Sequence, residues 1–250
     1  MKNSRGIALI VLIGLFLGSY CTVSHAPNNG KDVIKAMHEA YNSEWYPYLT
    51  FTQITRFFDE EGIEQHSQTW YEAMKVPGKL AIKFDSRESG DGVLFRDGKQ
   101  YTFKDSLKAE EVERVHNLLV LGFDVFKQSP DTTIKILSDE FDLNAMYSDS
   151  WKGKDVYVVG VNEPDTTIPQ FWIDKEHLYF VKEYISCKDC AILEVQFNDY
   201  RKLEKGWVAA EVVYKKDGII RTLEKYIDIE LPDSINSAIF DPMKFVEAKW

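Results

Sequence analysis

The sequence predicts a mainly β protein: one long antiparallel meander that a helical segment interrupts once. Runs of alternating apolar and polar residues, typical of half-buried strands, recur along the chain. Short polar turns join these runs, and residues 96–99 (Arg-Asp-Gly-Lys) are a clear hairpin signal. Helical spacing appears near the start and in a mid-chain stretch, and no linker rich in proline, glycine or serine divides the chain. We therefore expect a single domain.

Residues 1–26 have the pattern of a secretory signal peptide. Two basic residues precede an uninterrupted apolar run, residues 7–17, and small residues follow at Ser24 and Ala26. The apolar run is too short to span a bilayer. We expect cleavage after Ala26, with cleavage after Ser24 as the alternative, so that residues 27–250 form one exported, periplasmic domain.

Cys21 raises a further alternative, a lipid-modified cysteine at the new N-terminus. That signal requires a small residue directly before the cysteine, whereas Tyr20 stands there. Lipid anchoring through Cys21 is therefore the less favoured interpretation. Export also argues against kinase, ATPase and dehydrogenase functions, because no pool of ATP or reduced pyridine nucleotide exists outside the cytoplasm.

The charge of the chain narrows the choice of partners. The formal net charge is −10, and the signal segment contributes two basic and no acidic residues, so the exported part carries −12. Such a surface disfavours nucleic acids and anionic lipid surfaces as partners. It suits a soluble protein, which we expect to be a monomer.

Cys187 and Cys190 remain after removal of the signal. They lie between two strand-like runs, residues 178–186 and 191–200, at the tip of a predicted hairpin. A catalytic Cys-x-x-Cys needs its first cysteine at a helix N-terminus, where the thiol pKa is lowered. The pair therefore favours a structural disulfide, with free thiols as the alternative.

No catalytic or metal-binding motif appears in the sequence. Patterns of the G-x-S-x-G, H-E-x-x-H, P-loop and EF-hand types are all missing. We expect no cofactor, no metal and no enzymatic activity. The histidines of the exported part lie on separate predicted elements without metal-ligand spacing: His38, His66, His116 and His177.

The helices are predicted from spacing and capping residues. Asn29 and Gly30 begin a helix whose apolar face includes Val33 and Met37. Residues 106–128 are predicted as a second helix with Ser106 as its cap, which would place Glu113 and His116 one turn apart as a surface pair. The stretch 118–126 is apolar on nearly every side, so it is covered on two faces or faces something other than water. Residues 129–131 (Ser-Pro-Asp) end it and cap a short helix through Leu137.

The remaining runs are predicted strands. Before the helical stretch they are residues 49–58, 63–74, 79–84, 93–95 and 101–103. After it they are residues 147–151, 156–161, 170–174, 178–186, 191–200, 207–214 and 219–231.

The order of several short motifs resembles the LolA-type periplasmic lipoprotein carriers and their LolB and LppX relatives. The resemblance runs from Asp32 to Phe245. The F-x-Q, P-x-x-L and D-G-K-x-aromatic landmarks of the family stand at Phe51 and Gln53, at Pro77 and Leu80, and at Asp97, Gly98, Lys99 and Tyr101. Residues 239–242 (Ile-Phe-Asp-Pro) resemble the family's closing segment.

This resemblance implies an unclosed, strongly curved antiparallel half-barrel, with the N-terminal and mid-chain helices covering its concave mouth as a lid. In the family, the enclosed apolar cavity holds lipoprotein acyl chains, which an inner-membrane ABC transporter supplies and an outer-membrane acceptor receives. One departure concerns the lid. The family has an arginine directly before the proline that ties the lid to the sheet, and Val76 stands there, beside Lys75.

We expect apolar side chains from the strands and the predicted helix to line this cavity. From the sheet they are Leu80, Ile82, Phe84, Leu94, Tyr101 and Phe103. From the lid they are Leu118, Leu119, Leu121, Phe123 and Phe126. The choice of strand face is the sensitive step, because a shift of one residue turns every side chain to the other face.

Two alternatives to a carrier use the same fold class differently. The first is an interaction protein that detects mislocalised lipoprotein and signals through a partner. The second is a secreted hydrolase or glycan-binding module, which would depend on an acidic or aromatic cluster.

Overall fold

The computed structural model describes residues 26–187 and 190–249, so residues 1–25, which include Cys21, lie outside the described residues. The strands are β1 (Tyr48–Phe58), β2 (Glu64–Lys75), β3 (Lys79–Phe84), β4 (Gly92–Arg96), β5 (Lys99–Lys104), β6 (Leu107–Glu113), β7 (Met146–Trp151), β8 (Lys154–Val159), β9 (Gln170–Asp174), β10 (Phe180–Cys187), β11 (Cys190–Leu203), β12 (Gly206–Lys216) and β13 (Ile219–Glu230). The helices are α1 (Gly30–Tyr41), α2 (Asn117–Gly122) and α3 (Pro130–Leu137), with 3₁₀ turns at Asp124–Phe126 and Ser237–Phe240.

The thirteen strands of the described chain form a single antiparallel sheet. Its strand order is β6-β5-β4-β3-β2-β1-β13-β12-β11-β10-β9-β8-β7, so β6 and β7 are the two edges and the sheet does not close into a barrel. Strand β1 pairs with β13, which joins the two halves of the meander. This architecture confirms the predicted unclosed half-barrel of mainly β class with helices on it.

Helix α1 forms where the sequence predicts it. The Asn29 side chain accepts a hydrogen bond from the backbone N–H of Asp32 at 3.0 Å, which caps the helix. Val33, Ile34 and Met37 are fully buried on one face. Helix α1 contacts α3 and the turn Asp124–Phe126, so the three helical pieces form one cover over the sheet.

The prediction of one helix over residues 106–128 is wrong in its first half. Asp105 and Ser106 both have positive φ (53° and 59°), so they form a tight turn into β6 instead of a helix cap. Strand β6 pairs with β5, and Lys99 forms ion pairs with Glu111 at 2.9 Å and Glu113 at 3.4 Å. Pairing with an available sheet edge overrides the local helical spacing.

The second half of that stretch is helical, but it starts at Asn117. His116 is the N-cap residue of α2, so it does not share a helical turn with Glu113. The α3 prediction is confirmed, because the Ser129 side chain caps the helix and Pro130 occupies its first turn. Across the described residues, no helix is long and apolar enough to cross a bilayer.

A second core covers the outer face of β2–β5. The C-terminal segment brings Ile239, Phe240 and Phe245 against this face, and the ring of Phe245 stacks on that of Phe103 with centroids 4.3 Å apart. Lys83 is fully buried there, and its Nζ donates to the backbone carbonyl of Ala248 at 2.8 Å. The C-terminal segment therefore gives this part of the sheet apolar side chains on both faces.

We predict that Phe245→Ala destabilises the fold by about 3–5 kcal/mol, because it leaves a cavity between the C-terminal segment and the sheet. Met243 lies two residues away and is 85% exposed. As a matched control, Met243→Ala should change the free energy of unfolding by no more than about 0.5 kcal/mol. Urea unfolding of both variants measures the difference, and equal stability of the two would contradict this assignment.

Candidate ligand-binding cavity

The concave face of the sheet and the segment around α2 border a cavity of about 590 Å³ that is partly open to solvent. This volume lies within the range of roughly 300–1,000 Å³ that is typical of small-molecule sites. The sheet supplies these apolar lining residues: Phe51, Phe57, Trp70, Met74, Leu80, Ile82, Phe84, Val93, Phe95, Ile185, Leu193, Val195 and Phe197. The segment opposite, which we call the roof (residues 115–126), supplies Val115, Leu118, Leu119 and Phe123.

The structure brings six of the predicted residues together at this cavity. Leu80, Ile82 and Phe84 alternate along β3 and point to the concave face. Leu118, Leu119 and Phe123 face them from the roof. These six residues come from the period-2 pattern of β3 and from the apolar roof stretch.

Three predicted strand residues lie on the other face of the sheet. Leu94, Tyr101 and Phe103 belong to the core under the C-terminal segment, so their assignment to the cavity is corrected. On β4 the cavity receives Val93 and Phe95 instead. The reason is that both faces of β4 are buried, so its apolar run does not reveal which residues point inward.

Two predicted roof residues also do not line the cavity. Leu121 and Phe126 are fully buried in the main core. The ring of Phe126 stacks on that of Trp45 at 3.7 Å and meets Tyr41 edge-on at 5.4 Å. Phe126 therefore joins the roof to the end of α1, where Lys127 also donates to the carbonyl of Asn42 at 2.7 Å.

A buried carboxylate joins the roof to the sheet. Asp124 is 3% exposed, and its Oδ1 accepts a hydrogen bond at 2.9 Å from the backbone N–H of Gly78, in the turn between β2 and β3. Burial raises the pKa of Asp124 to about 7, and the hydrogen bond from Gly78 opposes the rise. Gly78 follows Val76-Pro77, so this contact lies next to the position where the family resemblance led us to expect an arginine.

The sequence signal for Asp124 is a single acid within an apolar stretch, and the residues predicted for the lid did not include it. The contact with Gly78 ties the roof to the sheet at one end, as Phe126 does at α1. These two contacts hold the C-terminal end of the roof, while Leu118, Leu119 and Phe123 border the cavity.

We predict that Asp124→Asn makes stability less dependent on pH. The pKa of Asp124 is raised in the folded state, so its contribution is present below about pH 4 and is lost as the pH rises through about 7. The loss of unfolding free energy between pH 5 and pH 8 should be smaller in the variant by about 2–4 kcal/mol.

Urea unfolding at the two pH values measures this difference. Asp139 is exposed, so Asp139→Asn serves as the control and should keep the pH dependence of the unmodified protein. An Asp124→Asn variant with an unchanged pH dependence would rule out the proposed burial of this carboxyl.

The concave face also carries three buried glutamates, which we call the acidic floor: Glu72, Glu183 and Glu224. They are 5%, 1% and 7% exposed and all line the cavity. Burial raises the pKa of Glu183 and that of Glu224 to about 8, and that of Glu72 well above its usual value. Neighbouring like charges add to this rise, Glu224 for Glu72 and Glu140 for Glu183.

The sequence does not reveal the acidic floor as a group, because its three glutamates lie far apart in the chain. The three glutamates come from β2, β10 and β13. What marks such a residue in the sequence is an acid at a strand position whose side chain points inward. Glu72, for example, alternates with Trp70 and Met74, which both line the cavity.

The structure tests one part of the cysteine prediction, which is the position of the pair in a hairpin. Strand pairing places Cys187 opposite Cys190 where β10 meets β11, as the hairpin prediction requires. Their side chains lie outside the described residues, so a disulfide stays a prediction. Within residues 26–187 and 190–249, no group of three or more His, Cys, Asp or Glu residues is placed to hold a metal ion.

An open antiparallel half-barrel with a helical cover over an apolar cavity defines a known class, and solved structures of that class match this chain. A putative outer membrane lipoprotein-sorting protein domain from Vibrio parahaemolyticus is 16% identical with a TM-score of 0.59, covering 88% of this chain and 98% of that one. A LolA superfamily protein from Nitrosomonas europaea is 11% identical with a TM-score of 0.54, covering 83% and 96%.

A DUF1329 family protein from Desulfovibrio piger is 13% identical with a TM-score of 0.55, covering 85% of this chain and 95% of that one. The chain therefore has a LolA-like fold, as the motif order predicted. No protein-family model and no curated protein matches the sequence.

Proposed function

We propose that this protein is a periplasmic carrier that shields the acyl chains of a lipoprotein, or of a lipid, in its cavity. The observation that supports this most is a cavity of about 590 Å³ that the protein's own side chains leave open between two apolar walls. It occurs in a fold shared with a putative lipoprotein-sorting domain. An ordinary core would be closely packed, without space of this size.

The magnitude of the hydrophobic effect is sufficient for such a role. Burying an acyl chain of roughly 14 methylenes at about 0.8 kcal/mol each gives on the order of 11 kcal/mol. A bilayer offers a similar gain, so cargo exchange with a membrane partner needs no chemical step. Differential affinity between successive partners would set the direction of transfer.

The roof is the element that we expect to move. Helix α2 has six residues and connects an edge strand to the turn Asp124–Phe126. Opening it would break the Asp124–Gly78 hydrogen bond and separate the rings of Phe126 and Trp45. Breaking these two contacts costs a few kcal/mol, exposing buried roof side chains such as Leu121 adds about 1.5–3 kcal/mol each, and partner binding would supply this free energy.

The location and partners follow from the sequence and the resemblance. The signal pattern of residues 1–26 directs the chain out of the cytoplasm, and the strongly acidic composition keeps it off anionic membranes. Cargo would come from an inner-membrane ABC transporter and pass to an outer-membrane acceptor. The proposal assigns no catalytic role to any residue.

Native mass spectrometry of protein purified from its own periplasm tests the proposal. We expect a bound species whose mass corresponds to an acyl-bearing molecule and which organic extraction removes. Protein that carries no such species, even when it is isolated gently, would contradict the proposal.

Variants that fill the cavity or place a charge in it should lose the bound species. Thr222 lines the cavity on β13, so Thr222→Trp removes free volume, and Phe123→Asp places a carboxylate among apolar groups. Each should reduce occupancy by about tenfold or more. Lys225→Trp adds the same ring on an exposed position of the same strand and should leave occupancy unchanged. Equal occupancy in Thr222→Trp and Lys225→Trp would place the bound species elsewhere.

A further inference from the structure

We propose that the cavity accepts an amphiphile whose alkyl chain ends in a primary ammonium group, and that the acidic floor binds that group. This inference rests on the proposed function, since the alkyl chain would occupy the apolar walls. It adds a chemical class of ligand, which neither the fold nor the apolar lining specifies.

Glu183 has unfilled hydrogen-bonding capacity at the cavity wall. Its side chain is 1% exposed and lines the cavity, and its Oε2 has no hydrogen-bond partner. Buried polar atoms are nearly always partnered, so an orphan acceptor that borders an open cavity indicates a ligand that donates a hydrogen bond there.

The three glutamates have no cationic partner among the described residues. In the described part of the chain, no ion pair joins Glu72, Glu183 or Glu224 to a lysine or arginine. Glu224 instead has neutral partners, the Tyr226 hydroxyl at 3.4 Å and the side chains of Gln53 and Tyr214. With pKa values of about 8, Glu183 and Glu224 are largely protonated at pH 7 while no cation is near, and a bound cation would favour the ionised form of these acids.

The three carboxylates act on a common region. The charges of Glu224, Glu72 and Glu183 all raise the pKa of Tyr214, after the larger effect of burial. The charge of Glu224 likewise raises the pKa of Glu72. An ammonium group has three N–H donors, so one placed between Glu72 and Glu224, whose charges interact, would bind both acids.

The charge at the cavity rim does not oppose this arrangement. Arg114 lines the cavity but is exposed, and it donates to the Gln100 side chain at 3.1 Å. His116, also at this rim, has a pKa lowered to about 4 by burial and is neutral at pH 7. An anionic head group would meet three acids at the floor, whereas an ammonium group meets acceptors.

The test compares three probes with the same chain and different head groups: dodecylammonium, 1-dodecanol and dodecyl sulfate. Each is titrated into the delipidated protein below its micelle concentration, and tryptophan fluorescence reports binding. We expect dodecylammonium to bind about tenfold or more tightly than dodecanol, because charge-assisted hydrogen bonds form only with the amine. Dodecyl sulfate should bind most weakly.

Variants identify the groups responsible. Glu183→Gln and Glu224→Gln keep the side-chain size and should each reduce the affinity ratio of dodecylammonium to dodecanol by about fivefold or more. Glu72→Gln serves as the further variant if one of these fails to fold. Glu176 is 80% exposed in its side chain, so Glu176→Gln removes the same charge without touching the cavity and should keep the full preference.

The outcomes separate the two proposals. If dodecanol binds and the amine has no advantage, or if the amine keeps its advantage in the glutamine variants, the ammonium site is wrong while the alkyl cavity stands. If none of the three probes binds, the proposed function fails as well.

Discussion

The cavity depends on how the roof is attached. The C-terminal end of the roof is held by the Asp124–Gly78 hydrogen bond and by the stack of Phe126 on Trp45, whereas its residues Leu118, Leu119 and Phe123 border the open space. Apolar side chains from two walls would otherwise meet and form an ordinary core. An apolar space that stays open requires contacts of this kind around it, and their modest strength is compatible with a roof that opens.

The outer face of the sheet, unlike the concave face, is covered by closely packed side chains. There the C-terminal segment packs directly on the strands, with Phe245 on Phe103 and the buried Lys83 bonded to Ala248. One sheet thus has a filled outer core and a partly open inner one. The filled core contributes stability, while the open one contributes a binding site, which is a common division between scaffold and site.

Secondary structure and side-chain direction are predicted correctly from the sequence where a single pattern, such as strand alternation or helix capping, determines them. Strand β3 alternates with one clear inner face, and Asn29 and Ser129 cap the helices that follow them. Prediction fails where two rules compete. Both faces of β4 carry apolar side chains, so alternation does not show whether Leu94 points to the concave or to the outer face of the sheet. Likewise, residues 107–113 have helical spacing but pair with β5 at the sheet edge.

The acidic floor was beyond sequence reasoning for a different reason. Its members are far apart in the chain, and the pairing of the neighbouring strands from β2 to β10 brings them to one surface. Each breaks the rule that charged residues avoid buried positions. Violations of that rule at the wall of a cavity are typical of function, because stability alone does not favour them.

A crystal structure of the protein isolated with its natural ligand tests the central claim most directly. The claim is that a guest's hydrocarbon chain occupies the space between the roof and the concave face. We predict continuous density for such a chain beside Phe123 and Ile82, with the roof residues in place around it. A structure in which the protein's own side chains fill that space, with the roof packed onto the sheet, would contradict it.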